Sequence, residues 1–293
     1  MIVLLALFFS LGAIFYSLEA FKEAKNYYNY TLKLYLKQSL SVTNDSLIPI
    51  ALKKAQEIYQ ENPYNPYYKE SMKVEDISIK LLIKDDNKFN INSIKNPIYF
   101  NVFKSLSEEF CMPKDFPYYV YYWITGKNKD NIDLDALSYT APFKDMQSKE
   151  EIIYATPYSN LLYKNNCHGK KQAKGIWYFL DTKNQSLNIN TIPIPILKAL
   201  NKDITDSMAK EIIDYINLHP IKNIEDLVNI RGLSLDDIYK IQSIVSTKSS
   251  LEVIKIISKT KMGGITQRLT TEVYYSPPQN KILGIYQYWG IIY

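Results

Sequence analysis

The side chains in this chain that could do chemistry are few and scattered. His168 and His219 are the only two histidines, and His219 precedes Pro220, where a helix is expected to stop. The two cysteines, Cys111 and Cys167, form no C-x-x-C pair of the zinc or thioredoxin kind. Paired acids at Glu108-Glu109 and Glu150-Glu151 fall on helix-like text, where a solvated face is their ordinary setting. No G-x-S-x-G elbow, H-E-x-x-H helix, Walker A loop or dinucleotide fingerprint occurs. With only 9 Gly against 26 Tyr, phosphate-cradling loops are scarce and aromatic packing surface is plentiful. The chain is not expected to be an enzyme, and no catalytic, cofactor or metal residue is assigned.

The elements around these residues read as a layered chain. The composition, 46% hydrophobic and 22% charged, is globular and excludes a disordered or polytopic membrane protein. The net charge of +5 is spread over scattered lysines, which describes a solvated surface rather than a nucleic-acid footprint. The first 18 residues, MIVLLALFFSLGAIFYSL, hold no charge, and as a helix they extend about 27 Å, close to a hydrocarbon core. A retained single-pass anchor is expected, with a signal peptide or a buried core helix as alternatives. Leu18, Phe21, Ala24, Tyr28, Leu32 and Tyr35 then mark one face of a stalk helix ending near Leu40. A second helix, 46–59, would start at an Asp45 or Ser46 cap. The tract NPYNPYY ends it. One strand at 74–83 precedes a turn at Asp85-Asp86-Asn87, and three return at SLEVIKIIS, RLTTEVYYS and KILGIYQYWG. Between them lies mostly helix and loop.

The segment from Leu187 to Val245 carries the clearest pattern. Thr191 is placed to cap a helix whose first turn accepts Pro193, with Ile196, Leu197 and Leu200 facing a core. Thr205 or Asp206 opens the next, with Ala209, Ile212, Ile213 and Ile216 inward. Asn223 would cap a third, and Ser234 with Asp237 has capping-box spacing for a fourth through Ile238, Ile241 and Ile244. Two helical pairs in tandem also suit a membrane-anchored helix-hairpin-helix DNA receptor of a competence system. Its hairpins normally hold phosphate on glycine N–H groups, whereas Asn201-Lys202-Asp203 has no glycine and Arg231-Gly232 has one. Nucleic acid is therefore not the expected partner.

In order along the chain, these motifs resemble the type II secretion system protein K family of minor pseudopilins. Asn188, Asn190, Thr191 and Pro193 match its N-x-N-T-x-P pattern. Asp85, Asn90 and Asn92 match a D-x-x-G-x-x-N-x-N signature, with Lys88 where glycine is usual. Tyr139, Pro142 and the run from Ser148 to Ile152 resemble its Y…P…S-x-x-E-L stretch, and 249–253 its returning strand. Trp123 and Ile124 keep the core of a D-W-I-D run that has lost both acids.

The resemblance implies an α+β fold: a pilin-like head of long N-terminal helix plus antiparallel sheet, split by a large all-α insert of SAM-like or helix-hairpin-helix-like repeats. The implied organisation is 1–40 anchor and stalk, 41–94 first part of the head, 95–247 insert, and 248–293 completing strands. It implies a place at the pseudopilus tip, initiating or capping the fibre and supporting export across the outer membrane. The partners would be other minor pseudopilins, the inner membrane and the secretion assembly platform, with the head in the periplasm. Leu4, Leu5, Leu7, Phe8, Phe9, Ile14 and Phe15 would form the assembly helix. Taking Met1 as the mature end, Leu5 stands where most pseudopilins carry glutamate and protein K does not. No cofactor is implied. Calcium sites occur in some relatives, but Asp130, Asp133 and Asp135 lack EF-hand spacing and no ligands are identified. In an oxidising periplasm Cys111 and Cys167 become a candidate disulfide. Tyr121 and Tyr122 are candidate partner contacts, provided they form an exposed patch.

Overall fold

A computed structural model describes residues 2–164, 166–167, 174–183, 186–229 and 234–292, apart from the side chains of 2–9, 237 and 291–292. His168 and the Arg231-Gly232 turn lie outside these residues, as does the Asp237 side chain of the expected capping box.

One helix, α1, runs from Ile2 to Glu61. The expected break at 40–46 does not occur, and neither Asp45 nor Ser46 starts a helix. Pro49 sits inside α1 and forfeits one backbone bond, a local cost of about 3 kcal/mol. Burial on both sides offsets it, because Leu32, Leu36, Leu40, Asn44, Ala51, Ala55 and Ile58 form one buried stripe against the sheet. Of the face expected for the stalk, only Leu32 is buried. Every described side chain from Ser10 to Tyr28 is exposed, including Ile14 and Phe15, because the sheet does not reach above Leu32. Among the described residues no helix is long and apolar enough to cross a membrane. The side chains of Leu4, Leu5, Leu7, Phe8 and Phe9 lie outside them.

The sheet has five antiparallel strands in sequence order: β1 (Tyr67–Val74), β2 (Ile77–Asp85), β3 (Glu252–Met262), β4 (Ile265–Ser276) and β5 (Lys281–Ile292). Two strands therefore precede the helical segment, not one. The expected strand at 74–83 straddles a hairpin whose turn is Glu75-Asp76, with Glu75 at φ 51°. β1 escaped the pattern because as an edge strand it buries little, and its residues YYKESMKV do not alternate. The β3–β4 turn uses Gly263 at φ 56°, and a Cβ there would lie 2.7 Å from Leu32 of α1.

A polar rivet fixes α1 to the sheet. The Asn44 amide donates to Thr271 Oγ1 at 2.8 Å and to the Ile256 carbonyl at 3.3 Å, and its oxygen accepts from Ser258. Asn44, Ser258 and Thr271 are all fully buried. Replacing Asn44 with leucine strands the two hydroxyls and should lower stability by about 2–3 kcal/mol, measured by urea unfolding.

Between β2 and β3 lie the helices α2 (Pro97–Glu109), α3 (Phe116–Thr125), α4 (Ile152–Ala155), α5 (Ile194–Leu200), α6 (Asp206–Leu218) and α7 (Leu235–Gln242). They share a core running from Phe89 through Phe103, Phe116 and Ile196 to Ile244, separate from the sheet core of Ala55, Ile83, Ile254 and Val273. Thr205 caps α6 by accepting from the Met208 N–H at 3.3 Å, and Ala209, Ile212 and Ile216 are buried while Ile213 is half-buried. Two expected caps differ. Pro193 holds the N-cap place of α5, which frees Thr191 for another role. Residues 224–229 form a 3-10 helix, where the Asp226 carboxylate accepts from the Asn223 N–H at 3.1 Å. Sulfur bonding joins Cys111, just past α2, to Cys167, across a sequence separation of 56.

Candidate assembly interface

The motif residues gather where the chain leaves the sheet and where it comes back. Asp85 ends β2, half-buried beside the first residue of β3, its buried cross-strand partner Glu252. The Asp85 carboxylate accepts from Asn188 Nδ2 at 2.8 Å, from Ser249 Oγ at 2.9 Å and from the Thr191 hydroxyl. Asn188 also donates to the Tyr64 carbonyl at 2.9 Å, and its N–H donates to Asn87 Oδ1 at 3.0 Å. Asn190 reaches the other way, donating to the Ile221 and Thr247 carbonyls at 2.9 and 2.8 Å and accepting from the Ile221 N–H at 2.7 Å. Each amide supplies both donor and acceptor capacity at a buried position, which is why asparagine stands there. Asn90 and Asn92 make a second, smaller knot. Asn90 Oδ1 accepts from the Asn92 N–H at 2.9 Å, and the Asn92 amide makes two 2.9 Å bonds to the Met146 backbone.

Asp85, Asn188 and Thr191 therefore pin the end of β2 to the helical segment, while Asn90, Asn92 and Asn190 tie parts of that segment together. Trp123 and Pro193 lie outside the knots: Trp123 is core, its carbonyl accepting from the Phe143 N–H at 3.1 Å, and Pro193 leads into α5.

Burial dominates the electrostatics here. It raises the Asp85 carboxyl to about 6 against the three hydrogen bonds that favour its charge. It raises Glu252 to about 8, with the neighbouring Asp85 charge adding to the effect, and neither Glu252 oxygen has a hydrogen-bond partner among the described residues. A carboxyl whose folded pKa lies above its unfolded value keeps more protons when folded. Its contribution is full below about pH 4.5 and is lost as pH rises toward 8. Glu252→Gln should leave stability near pH 4.5 almost unchanged and flatten the decline up to pH 8, as read by thermal melts across that range.

The exposed surface lies elsewhere. Tyr27, Tyr30 and Leu34 project from one face of α1, and one turn further Lys37 stands over the exposed Trp289 ring of β5 at 5.5 Å. Gln287 of β5 donates to Asp45 of α1 at 3.0 Å, and Ile285, on the same face of the strand, is exposed. An apolar strip thus runs from the stalk onto the outer edge of the sheet, suited to packing against another helix or strand. Tyr121 and Tyr122 contribute nothing to it. Both are half-buried on the helical core, with Tyr121 4.8 Å from Phe100 and Tyr122 edge-on to Phe143 at 5.4 Å, so they form no exposed patch. The strip was missed because its signal is an exposure pattern, which periodicity alone does not reveal.

Among the described residues no group of three or more His, Cys, Asp or Glu could hold a metal ion.

Long helix, five-stranded sheet and intervening helices together match one chain of the crystal structure of the GspK-GspI-GspJ complex from the enterotoxigenic Escherichia coli type 2 secretion system. The TM-score is 0.63 at 12% identity, over 88% of this chain and 99% of that one. The fold is pseudopilin-like. No protein-family profile and no curated protein matches the sequence. In this pseudopilin-like fold the exposed half of α1 and the outer edge of β5 present surface to solvent.

Proposed function

We propose that this chain is a minor pseudopilin of a type II secretion system, of the protein K kind. It is held in the inner membrane by its N-terminal helix, with the head in the periplasm. The observation that carries the reading is the two-way coverage of the structural match, 88% of this chain and 99% of the other. A small pilin without the helical segment could not align over both. The chain's departure from the sheet after Asp85 and its return at Glu252 support the nested organisation, a head split by an insert.

The tip is the favoured position. Residues 1–18 contain no acid, so this stretch brings no carboxylate to a neighbour's N-terminal amine. The helical insert adds bulk above the sheet. Other minor pseudopilins would pack along the exposed α1 face, and the assembly platform would meet the subunit at the membrane. Loss of the gene should abolish export of the system's substrates across the outer membrane, with export restored by the intact gene. Unimpaired export in the deletion strain would refute the proposal.

The DNA-receptor reading has weaker support. In the first hairpin Lys202 pairs with Glu108 at 3.4 Å and Asp203 with Lys240 at 3.8 Å, so acids line the place a phosphate would occupy. The full chain should show no tight, salt-sensitive binding to duplex DNA.

A further inference from the structure

Half of the chain, the helical segment, has no task in the function proposed above beyond bulk. Its surface carries an open groove of about 850 Å³ between α2 and α7, floored by the end of α5. The α2 residues lining it, Ile98, Asn101, Val102 and Ser105, are spaced by three and four and share one helix face. Asp236, Tyr239 and Lys240 do the same on α7, with Ser243 just past its end. Two helix faces with a low floor between them leave open space at the surface. The walls are apolar where a ligand would sit deepest, at Val102, Leu200 and Ile244. Two large apolar side chains at the mouth are exposed, Ile98 at 48% and Tyr239 at 62%. Ser105, Ala199 and Ser243 are short where larger side chains would fill the space.

Charge around the groove has a sign. Lys104, Lys202 and Lys240 line it against one acid, Asp236. The Lys104 ammonium lies 5.6 Å from the Phe100 ring and 6.0 Å from the Tyr118 ring. Lys202 pairs with Glu108 through side chains that are 73% and 65% exposed, and Lys240 with Asp203 at 56% and 72%. Exposed pairs of this kind contribute about 0–1 kcal/mol and exchange readily for an incoming carboxylate.

We propose that this groove binds a short amphipathic helix of a partner protein, apolar on one side and acidic on its flanks. A helix about 10 Å across occupies roughly 420 Å³ per turn, so the groove takes about two turns. Two apolar anchors spaced by three or four would enter between Val102 and Ile244, and acidic residues beside them would meet the three lysines. This does not depend on the secretion reading, since the groove lies away from the stalk and β5.

The test uses the full chain in zwitterionic nanodiscs, with empty nanodiscs as the blank. A fluorescent 14-residue helical peptide carries leucine along one face and glutamate elsewhere; a second peptide replaces each glutamate with lysine. Anisotropy should show saturable binding of the glutamate peptide at a Kd of about 10–100 μM, and binding of the lysine peptide at least about tenfold weaker. Ser243→Trp, which fills the groove, should abolish binding. Lys104→Glu with Lys202→Glu should weaken it at least about tenfold. Tyr239→Ala, at an exposed position, should weaken it without a change in melting temperature. Equal binding of both peptides, an unchanged Kd in Ser243→Trp and Tyr239→Ala, or no saturation below about 1 mM would each overturn the proposal.

Discussion

Replacing Cys111 and Cys167 together with serine should destabilise the helical segment by about 4 kcal/mol and lower its melting temperature by about 10 °C. The bond closes a sequence separation of 56, and releasing a loop of that length returns conformational entropy to the unfolded chain. The loss should be felt locally. Cys111 follows α2 and Cys167 ends the described stretch after Leu162, so the bond holds a helix-poor run against α2, with Leu162 and Phe110 buried beside it. Calorimetry of the double variant, compared with wild type under reducing and non-reducing conditions, checks this. The reduced wild type should melt with the variant, whereas the sheet core of Ala55, Ile83 and Ile254 should be little affected.

A comparable effect is expected from one carboxylate. Asp85→Ala removes the acceptor for Asn188, Thr191 and Ser249, which come from the segment leading into α5 and the segment leading into β3. Leaving three donors, two of them buried, short of a partner costs several kcal/mol. Removing an acid that burial already pushes up to about 6 returns part of it, so a net loss of about 3 kcal/mol is expected at pH 7. The loss should grow as pH falls from about 6 toward 4, because the folded wild type gains stability by taking up a proton there and the variant cannot. Limited proteolysis is the second readout, because the variant should become cleavable near 186–191 and 247–251 while the α1 rivet at Asn44 still holds stalk to sheet. Unchanged melting and cleavage patterns in Asp85→Ala would show that the knot is incidental.

Much of this architecture was legible in the residues, for identifiable reasons. The α6 cap at Thr205 and its buried face follow from local spacing and local hydrogen bonding, which sequence reports directly. The three C-terminal strands were readable because turn residues such as Gly263 and Asn280 adopt positive φ between long β-prone runs. The failures occurred where tertiary contacts decide. Asp45 and Ser46 read as a helix start, yet the sheet holds α1 continuous through them. Thr191 reads as a cap, yet its hydroxyl is claimed by Asp85, 106 residues earlier in the chain. The N-x-N residues could be singled out by type, but their role as pins depends on bonds such as that from Asn188 to Tyr64 across 124 residues. The unpaired Glu252 carried no signal, since an acid at the start of a strand ordinarily faces water. The apolar strip of Tyr30, Leu34 and Trp289 became visible only once the sheet edge and the stalk were seen to lie side by side.

The central claim is that this pseudopilin-like chain works as a subunit, using the face of α1 that its own sheet leaves bare. The most direct measurement is affinity purification of the tagged full chain from membranes of its own cells, with co-purifying proteins identified and quantified. The account predicts small proteins with a hydrophobic N-terminal helix and a pilin-like head, in fixed proportion to the chain. Tyr30→Glu with Leu34→Glu, both at exposed positions, should remove them without lowering the melting temperature. A chain that purifies without such proteins, or that keeps them equally well in the double variant, would contradict the account.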